Sequence, residues 1–314
     1  MRSGTPVVAR GLVKRYGDIT AVAGVDLTVE PGDVFGYLGP NGAGKTTSLR
    51  MLLGLIRPSE GSAQLFGRDP LLEGAKALQG VAGFVEGPRF YPYLSGRRNL
   101  RLLADFDEPR SRNRIDEVLE IVELRDRAKD RVGGYSHGMR QRLGIAAALL
   151  RAPRLLLLDE PTTGLDPAGM RDMRALVRRL ASEGITILLS SHILTEVEEL
   201  CNRVAIIRTG TIVYEGALDD LLATATTSYR LKTRDPERAH TICLNQPGIA
   251  NVTLNEEGLR FAADEDAVAL LSVSLGQARV PITQLVPETA SLEELFLGIT
   301  EGESSDHDRQ AVAS

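Results

Sequence analysis

A glycine-rich segment that carries a lysine and two threonines lies between an apolar run and an amphipathic run. The apolar run Val34–Leu38 predicts a buried strand, and the run Ser48–Leu55 predicts a helix. Glycines followed by Lys and Thr in this strand–turn–helix context predict a phosphate-binding loop. The residues that we expect to bind nucleotide here are Gly39, Pro40, Asn41, Gly42, Ala43, Gly44, Lys45, Thr46 and Thr47.

The residue types of this loop suit phosphate chemistry. Glycines such as Gly42 and Gly44 let the backbone curl so that successive amide N–H groups point at phosphate oxygens. The positive end of the following helix adds to that attraction. Lys45 can carry its charge to the β- and γ-phosphates, and the Thr46 hydroxyl can ligate Mg²⁺. The alternative is a chance glycine-rich turn, which the strand, the helix, the Lys and the Thr in register argue against.

A second set of candidate residues follows a later apolar strand. Leu155–Leu158 is fully apolar and is closed by Asp159 and Glu160. A carboxylate at a strand end beside the loop can hold Mg²⁺ through water, so Asp159 is a candidate metal ligand. Glu160 projects differently and can accept a proton from an attacking water. The alternative is a strand that merely ends in acids, and the phosphate-binding loop in the same chain argues against it.

The elements that must position these residues follow from the order of apolar runs. Continuous apolar strands alternate with helical runs, which is typical of a parallel sheet covered on both faces. The early runs Val7–Val13 and Val25–Val29 predict an antiparallel sheet beside it. The other predicted elements are strands at Gly61–Phe66, Val81–Val85 and Thr186–Leu189, a hairpin of Val204–Ile207 and Thr211–Tyr214, and helices at Leu71–Leu78, Gly96–Asp105, Ser111–Leu124, Ser136–Leu150, Pro167–Leu180 and Ile193–Leu200.

A change of composition near Ala223 divides the chain into two domains. Residues 1–222 form the predicted nucleotide-binding domain, with a helical subdomain at about 90–150, and 223–227 is a linker of small residues. A length of 314 residues agrees with roughly two domains.

The second domain is predicted over residues 228–300. The order β-α-β-β-α-β over 228–285 predicts a small ferredoxin-like unit. Ser291 and Glu294 match a capping box for one last helix. Residues 301–314 are polar and predict a disordered tail.

Composition limits the classes of function. The net charge is −5, so no global basic field favours nucleic acid, and we expect no nucleic-acid partner. Cys201 and Cys243 have no metal spacing and fit buried thiols in a reducing compartment. The first residues lack the apolar core of a signal peptide, and no run of about 18 apolar residues predicts a membrane span. These features predict a cytosolic protein.

The motifs together resemble the nucleotide-binding subunit of an ATP-binding cassette (ABC) transporter. The phosphate loop and Leu155–Thr162 match the family's Walker A and Walker B patterns. Tyr135–Arg142 resembles the family signature, Gly164–Asp166 the D-loop, His192 the switch histidine and Tyr16 the aromatic that stacks on adenine. The resemblance implies a P-loop α/β fold of the ABC type, with a parallel core sheet, an antiparallel flanking sheet and a helical subdomain, followed by a small α+β domain.

The resemblance also implies a mechanism. In the family two subunits meet head to tail, and each ATP lies between one Walker A loop and the partner's signature helix. Ser136 and Gly138 would touch the γ-phosphate of the ATP bound to the other subunit. Glu160 would act as general base, and His192 would hold the γ-phosphate and the attacking water. ATP and Mg²⁺ are the implied cofactors, and a second copy of the chain is an implied partner.

Two positions depart from the family pattern. Glu86 stands where the family has a Gln that reaches Mg²⁺. A carboxylate there could still ligate the metal, although its charge would repel the γ-phosphate; alternatively, Glu86 only caps a turn with Gly87 and Pro88. In the signature, His137 replaces a Gly and Tyr135 replaces a Leu.

The stretch Glu86–Gly96 and the C-terminal domain resemble the ATPase subunits of bacterial ABC-2-type exporters, including those for peptide antibiotics and other drugs. This implies ATP-driven export through a separate transmembrane permease, with the chain on the cytoplasmic face of the membrane. The aromatic and Arg-rich segment Phe90–Leu103 would then dock the permease, although core packing explains an aromatic cluster equally well.

An ABC protein acting on ribosomes or DNA is the alternative, but the chain has neither a second cassette nor a long coiled-coil insertion. A GTPase would need an Asn-Lys-x-Asp motif, which the sequence lacks.

Overall fold

The structure is a computed structural model that describes residues 4–107, 109–223, 228–255, 258–288, 292–293 and 295–296. The chain divides into two compact units, of which the first ends at Leu218 and the second begins at Asp219. The sequence places this boundary four residues later, at residue 222.

The first unit contains a six-stranded sheet in the order β5-β6-β7-β3-β8-β9. The first five strands in that order are parallel, and β9 is antiparallel to β8. Every residue of β6 and β7 is buried, as expected for central strands covered on both faces. The six strands are β3 (Val34–Leu38), β5 (Val81–Phe84), β6 (Leu155–Asp159), β7 (Thr186–Ser191), β8 (Arg203–Arg208) and β9 (Thr211–Ala217). The predicted parallel core sheet is confirmed.

A three-stranded antiparallel sheet forms the second layer of this unit. Its order is β2-β1-β4, with β1 at Val7–Tyr16, β2 at Ile19–Val29 and β4 at Glu60–Leu65. The helix α1 (Lys45–Leu52) buries Leu49 and Met51 in one core cluster with Val25 of β2 and Leu157 of β6. Burying a Leu or Met side chain stabilises the fold by about 1.5–3 kcal/mol. The core therefore fixes the helix that begins in the phosphate-binding loop.

Helices fill the rest of the first unit, and two of them differ from the prediction. The predicted helix Leu71–Leu78 ends at Glu73, because Gly74 adopts a φ of 55° and a 3₁₀ turn follows. The predicted helix Ser111–Leu124 is divided at Arg114, whose guanidinium bonds the carbonyl oxygen of Leu149 at 2.5 Å. The helices are α2 (Pro70–Glu73), α3 (Gly96–Asp105), α4 (Pro109–Asn113), α5 (Ile115–Ile121), α6 (His137–Leu149), α7 (Pro167–Ser182) and α8 (Leu194–Leu200), and α9 (Leu218–Ala223) runs from the last residue of the first unit into the second.

The second unit has the predicted ferredoxin-like order. Its antiparallel sheet runs β11-β12-β10-β13, and Leu231, Phe261 and Leu271 lie in its core. The elements are β10 (Ser228–Thr233), α10 (Pro236–Asn245), β11 (Ala250–Asn255), β12 (Gly258–Ala262), α11 (Glu265–Gln277) and β13 (Ile282–Glu288). The proposed capping residues Ser291 and Glu294 and the tail 301–314 lie outside the described residues.

A helix that crosses a bilayer must be both long and apolar. None of the described helices is both long enough and apolar enough to span a membrane.

Candidate functional site

The carboxyl ends of three parallel strands meet at one edge of the large sheet. Register pairs Asp159 at the end of β6 with Ser190 of β7, and Leu38 at the end of β3 with Ser191. In open parallel sheets, ligands bind at this edge. The phosphate-binding loop leaves β3 there and leads into α1.

The loop needs glycine at two of its positions. Gly44 has a φ of 105°, and a Cβ on it would lie 2.5 Å from the carbonyl oxygen of Ala21. A Cβ on Gly39 would lie 2.5 Å from the carbonyl oxygen of Ile207. Any side chain at either position would force the backbone apart. The close approach of Ala21 also places the hairpin that carries Tyr16 against the loop.

The ammonium group of Lys45 lies against the phosphate-binding loop itself. The side chain is only 5% exposed, and its ammonium donates to the carbonyl oxygens of Gly39, at 2.7 Å, and Pro40, at 3.2 Å. It also lies 3.4 Å from Oε1 of Glu160. The ammonium is therefore positioned where the curled loop can present it to an anion.

Asp159 collects three hydrogen bonds from three different segments. Its Oδ1 accepts from the Ser190 hydroxyl at 2.5 Å. Its Oδ2 accepts from the Thr46 hydroxyl at 3.0 Å and from the backbone N–H of Glu86 at 3.2 Å. A hydroxyl and a carboxylate side by side are hard oxygen donors of the kind that Mg²⁺ prefers. The Thr46–Asp159 pair therefore fits a magnesium ion that takes its remaining ligands from phosphate and water.

Glu160 and His192 lie in contact. Nδ1 of His192 is 3.2 Å from Oε2 of Glu160. Glu160 has a φ of 47°, which non-glycine residues seldom adopt. Its backbone N–H donates a hydrogen bond to the Ser190 hydroxyl oxygen at 3.0 Å. Strained backbone of this kind is concentrated at functional sites. The strand end thus turns the Glu160 carboxylate towards Lys45 and His192.

The protonation of Glu160 is set by opposing effects. Burial raises its pKa, but the Thr163 hydroxyl, the Lys45 ammonium and the His192 ring together lower the pKa below its ordinary value. The carboxylate is therefore ionised at neutral pH, the state in which it can accept a proton.

Thr163 is a site residue that the sequence analysis missed. Its hydroxyl donates to Oε2 of Glu160 at 2.9 Å. Its carbonyl oxygen lies 3.1 Å from Nε2 of His137. A hydroxyl residue three positions after the candidate base was the signal available in the sequence. His137, which departs from the family signature, thus touches the segment that carries the base.

Ser136 and Gly138 stand at the beginning of α6. Ser136 is exposed and caps the helix by accepting a hydrogen bond from the backbone N–H of Met139 at 3.2 Å. Within the part of the chain that the structure describes, a Cβ on Gly138 would meet only Leu165, at 3.6 Å. Their contact with the phosphate of another subunit remains a prediction.

Tyr16 ends β1 with its ring about half exposed, and the Lys14 ammonium lies 5.0 Å from the ring centroid. An exposed ring at this place can stack on a base, and this role also remains a prediction. The remaining loop residues differ in exposure: Pro40 and Asn41 are exposed, Ala43 is buried and Thr47 is half-buried.

Glu86 contributes its backbone to the site, but its carboxylate lies elsewhere. The backbone N–H donates a hydrogen bond to Oδ2 of Asp159, whereas the exposed carboxylate forms an ion pair with Arg50 of α1. Glu86 has a φ of 66°, so the chain turns sharply at this residue. The proposed metal contact of Glu86 stays a prediction, in which Mg²⁺ would compete with Arg50 for the carboxylate.

Comparison with known proteins agrees with this geometry. Residues 22–163 match the family model described as ABC transporter. The bacitracin transport ATP-binding protein BcrA of Bacillus licheniformis is 38% identical over 300 residues, which cover 95% of this chain and 98% of that protein. The linearmycin resistance ATP-binding protein LnrL of Bacillus subtilis is 33% identical over 302 residues, covering 93% and 97%.

A solved structure described as the ATP-binding subunit of an ABC transporter is similar in fold to most of this chain. It superimposes with a TM-score of 0.62 at 29% identity, covering 70% of this chain and 93% of its own. The loop, the strand-end carboxylates and these likenesses lead to one conclusion. The chain belongs to the ABC transporter family, as an ATP-binding subunit with the ABC ATPase fold.

Proposed function

We propose that the chain hydrolyses ATP with Mg²⁺ and couples this reaction to export of an antibiotic, a peptide or a lipid-like compound through a separate ABC-2-type permease. One observation carries the catalytic part: the Glu160 carboxylate, ionised at neutral pH, lies between Lys45, Thr163 and His192. The similarity to the bacitracin transport and linearmycin resistance proteins supports the export part and disfavours the ribosome- or DNA-associated alternative.

The residues divide the chemistry among them. Lys45 and the loop amides bind the β- and γ-phosphates, while Thr46 and Asp159 hold the metal. Mg²⁺, when bound, neutralises charge on the phosphate oxygens. Glu160 accepts the proton of the attacking water, and the Thr163 hydroxyl keeps the carboxylate oriented. His192 contacts Glu160 and holds the γ-phosphate.

We further propose that two copies of the chain form the working ATPase, on the cytoplasmic face of the membrane. Support comes from Ser136 and Gly138, which stand at the beginning of the 13-residue helix α6. Among the described residues, no hydrogen bond joins either of them to the phosphate-binding loop of the same chain. A helix N-terminus with an exposed Ser136 and a half-buried Gly138 suits a phosphate presented by another molecule.

Efflux from cells tests the proposal as a whole. The chain is expressed with the membrane protein of about six apolar spans that we expect in a neighbouring reading frame, and drug retention is compared with cells that carry the Glu160→Gln chain. Efflux that requires both the permease and an intact Glu160 supports the proposal, and efflux without the chain contradicts it.

The permease-docking surface is proposed to be the aromatic segment that precedes α3, together with the exposed face of α3. Tyr91 and Tyr93 are 55% and 65% exposed, with ring centroids 5.7 Å apart, and Phe106 is 91% exposed. They line a cavity of about 590 Å³ together with Leu102 and Leu103. Exposed aromatic side chains of this kind are typical of protein interfaces, and their exposure disfavours core packing for these residues.

We expect Tyr91→Glu and Tyr93→Glu to abolish recruitment of the chain to membranes that contain the permease. Each substitution places a charge at the centre of an apolar contact, and neither touches the ATP site. Membrane sedimentation measures recruitment, and phosphate release by the purified chain measures ATPase activity. Leu72→Glu, at an 81% exposed position on α2, is the matched control. Loss of folding by the Tyr variants, or undiminished recruitment, would contradict the docking role.

Glu86→Gln should raise the Mg²⁺ concentration that gives half-maximal hydrolysis, while turnover at saturating metal is retained. The reason is that the amide attracts Mg²⁺ less than the carboxylate does. Arg50→Gln is the informative companion, since it frees the Glu86 carboxylate from its ion pair and should lower the same Mg²⁺ midpoint. Identical magnesium titrations for the wild type, Glu86→Gln and Arg50→Gln would show that the Glu86 carboxylate does not contact the metal and only pairs with Arg50 at the turn.

A further inference from the structure

A completely buried carboxylate lies behind the catalytic strand ends. Glu196 of α8 has no exposed surface. Its Oε2 accepts hydrogen bonds from the Ser191 hydroxyl at 2.7 Å and from the Thr162 hydroxyl at 2.9 Å. Both hydroxyl residues are themselves buried. One oxygen atom of Glu196 therefore joins two segments that are 29 positions apart in the chain.

A contribution to folding stability does not explain why a carboxylate is buried at this position. Burial raises the pKa of Glu196, so the ionised form is disfavoured there. Its other oxygen, Oε1, has no hydrogen-bond partner among the described residues, and neither does the buried Nε of Arg174. Buried polar atoms without partners cost free energy, and an apolar side chain of similar size would avoid that cost. A local conflict of this kind is expected where function requires it.

The two segments that Glu196 joins are the two that carry the catalytic pair. Thr162 follows Glu160 by two residues, and Ser191 immediately precedes His192. Glu160 and His192 touch directly at 3.2 Å, but both are partly exposed to solvent. Glu196 supplies a second, buried connection between the same segments. The distance between Glu160 and His192 is thus restrained twice, by their own contact and by the buried hydrogen bonds of Glu196.

We propose that Glu196 is a positioning residue for hydrolysis, which holds the Glu160 and His192 segments at the separation that aligns the attacking water. The inference rests on the proposed roles of Glu160 and His192. Glu196 acts only through the hydroxyls of Thr162 and Ser191, as a hydrogen-bond acceptor, and touches neither nucleotide nor metal.

Two substitutions at position 196 separate this role from packing. Glu196→Met keeps the side-chain volume but removes the acceptor. It should lower kcat by about 10- to 100-fold, because small misplacements of reacting groups cost that much. The KM for ATP should change by less than about twofold, since the phosphate-loop contacts are untouched. Glu196→Gln keeps an oxygen that can accept from both hydroxyls and should restore kcat to within about threefold of the wild type.

Substitution of the donors gives the same test without changing the buried carboxylate. Thr162→Val and Ser191→Ala each remove one donor, whereas Thr162→Ser keeps it and serves as the matched control. The losses of Thr162→Val and Glu196→Met should not add in the double variant, because both break one connection. Should Glu196→Met fail to fold, the Thr162 pair carries the test.

The outcomes distinguish this proposal from the one on which it rests. Turnover that survives Glu160→Gln contradicts the assigned base, and the positioning role with it. If Glu160→Gln abolishes turnover but folded Glu196→Met retains wild-type kcat, only the positioning role is wrong. It is equally wrong if Glu196→Gln loses as much as Glu196→Met, or if the Thr162→Val and Glu196→Met losses simply add.

Discussion

Replacing Glu160 with glutamine is expected to lower ATP turnover by about 10²- to 10⁴-fold, the effect of removing a positioned general base. The amide is nearly isosteric, can still accept the Thr163 hydroxyl and keeps the same backbone, but it cannot take a proton from water. ATP binding should survive, since the proposed phosphate contact of Lys45 and the proposed metal contact of Thr46 are not altered. The variant should therefore accumulate as an ATP-bound dimer.

Single-turnover phosphate release, nucleotide affinity and molecular mass in solution check these three expectations. The loss should be constant across the neutral pH range, because the lowered pKa keeps Glu160 ionised throughout it. Asp172→Asn, at a carboxylate on α7, is a suitable control. Near-normal hydrolysis by Glu160→Gln at saturating ATP would exclude Glu160 as the base.

Mixing two inactive variants should restore activity if each ATP site is shared between two chains. Lys45→Ala spoils the phosphate loop and Ser136→Arg spoils the signature helix, so dimers of either variant alone have no intact site. In a mixed dimer, the loop of the Ser136→Arg chain meets the signature of the Lys45→Ala chain, and that site is intact. Random mixing with independent sites would recover about one quarter of wild-type activity, because half of the dimers are mixed and each has one good site.

The control for this experiment concerns the helix cap. Ser136 caps α6, and loss of a cap costs about 1 kcal/mol whatever its role in catalysis. Ser95→Arg removes the corresponding cap of α3 without touching any proposed phosphate contact. That variant should remain active alone. No recovery on mixing folded variants, or a specific rate independent of protein concentration, would contradict the shared site.

The parts of the site that the sequence predicted are those held within short segments. The phosphate loop is one strand–turn–helix unit, so its spacing already determines the placement of Lys45 and Thr46. Asp159 and Glu160 follow a strand whose apolar run is unmistakable. The parallel sheet then brings these segments together, which the alternation of strands and helices predicts.

What the sequence did not predict depends on packing between distant segments. The bond from Thr162 to Glu196 spans 34 positions, and nothing in the pattern of α8 marks this carboxylate as buried. The carboxylate of Glu86 pairs with Arg50 because a positive φ turns the chain at that residue. The early end of α2 depends on the backbone of Gly74, and a hydrophobic pattern carries no information about φ.

The hydrogen bond between the backbone of Glu86 and Asp159 has a thermodynamic consequence. One oxygen of Asp159 is shared by Thr46 and by the N–H of Glu86. Tyr91 of the proposed docking surface lies five residues further along, within about 18 Å of extended chain. Any ligand that draws the shared oxygen away from the N–H of Glu86 therefore removes a hydrogen bond from the segment that leads to the proposed docking surface. Linkage is reciprocal, so if nucleotide changes the affinity of the chain for the proposed permease, the permease changes the affinity for nucleotide by the same factor.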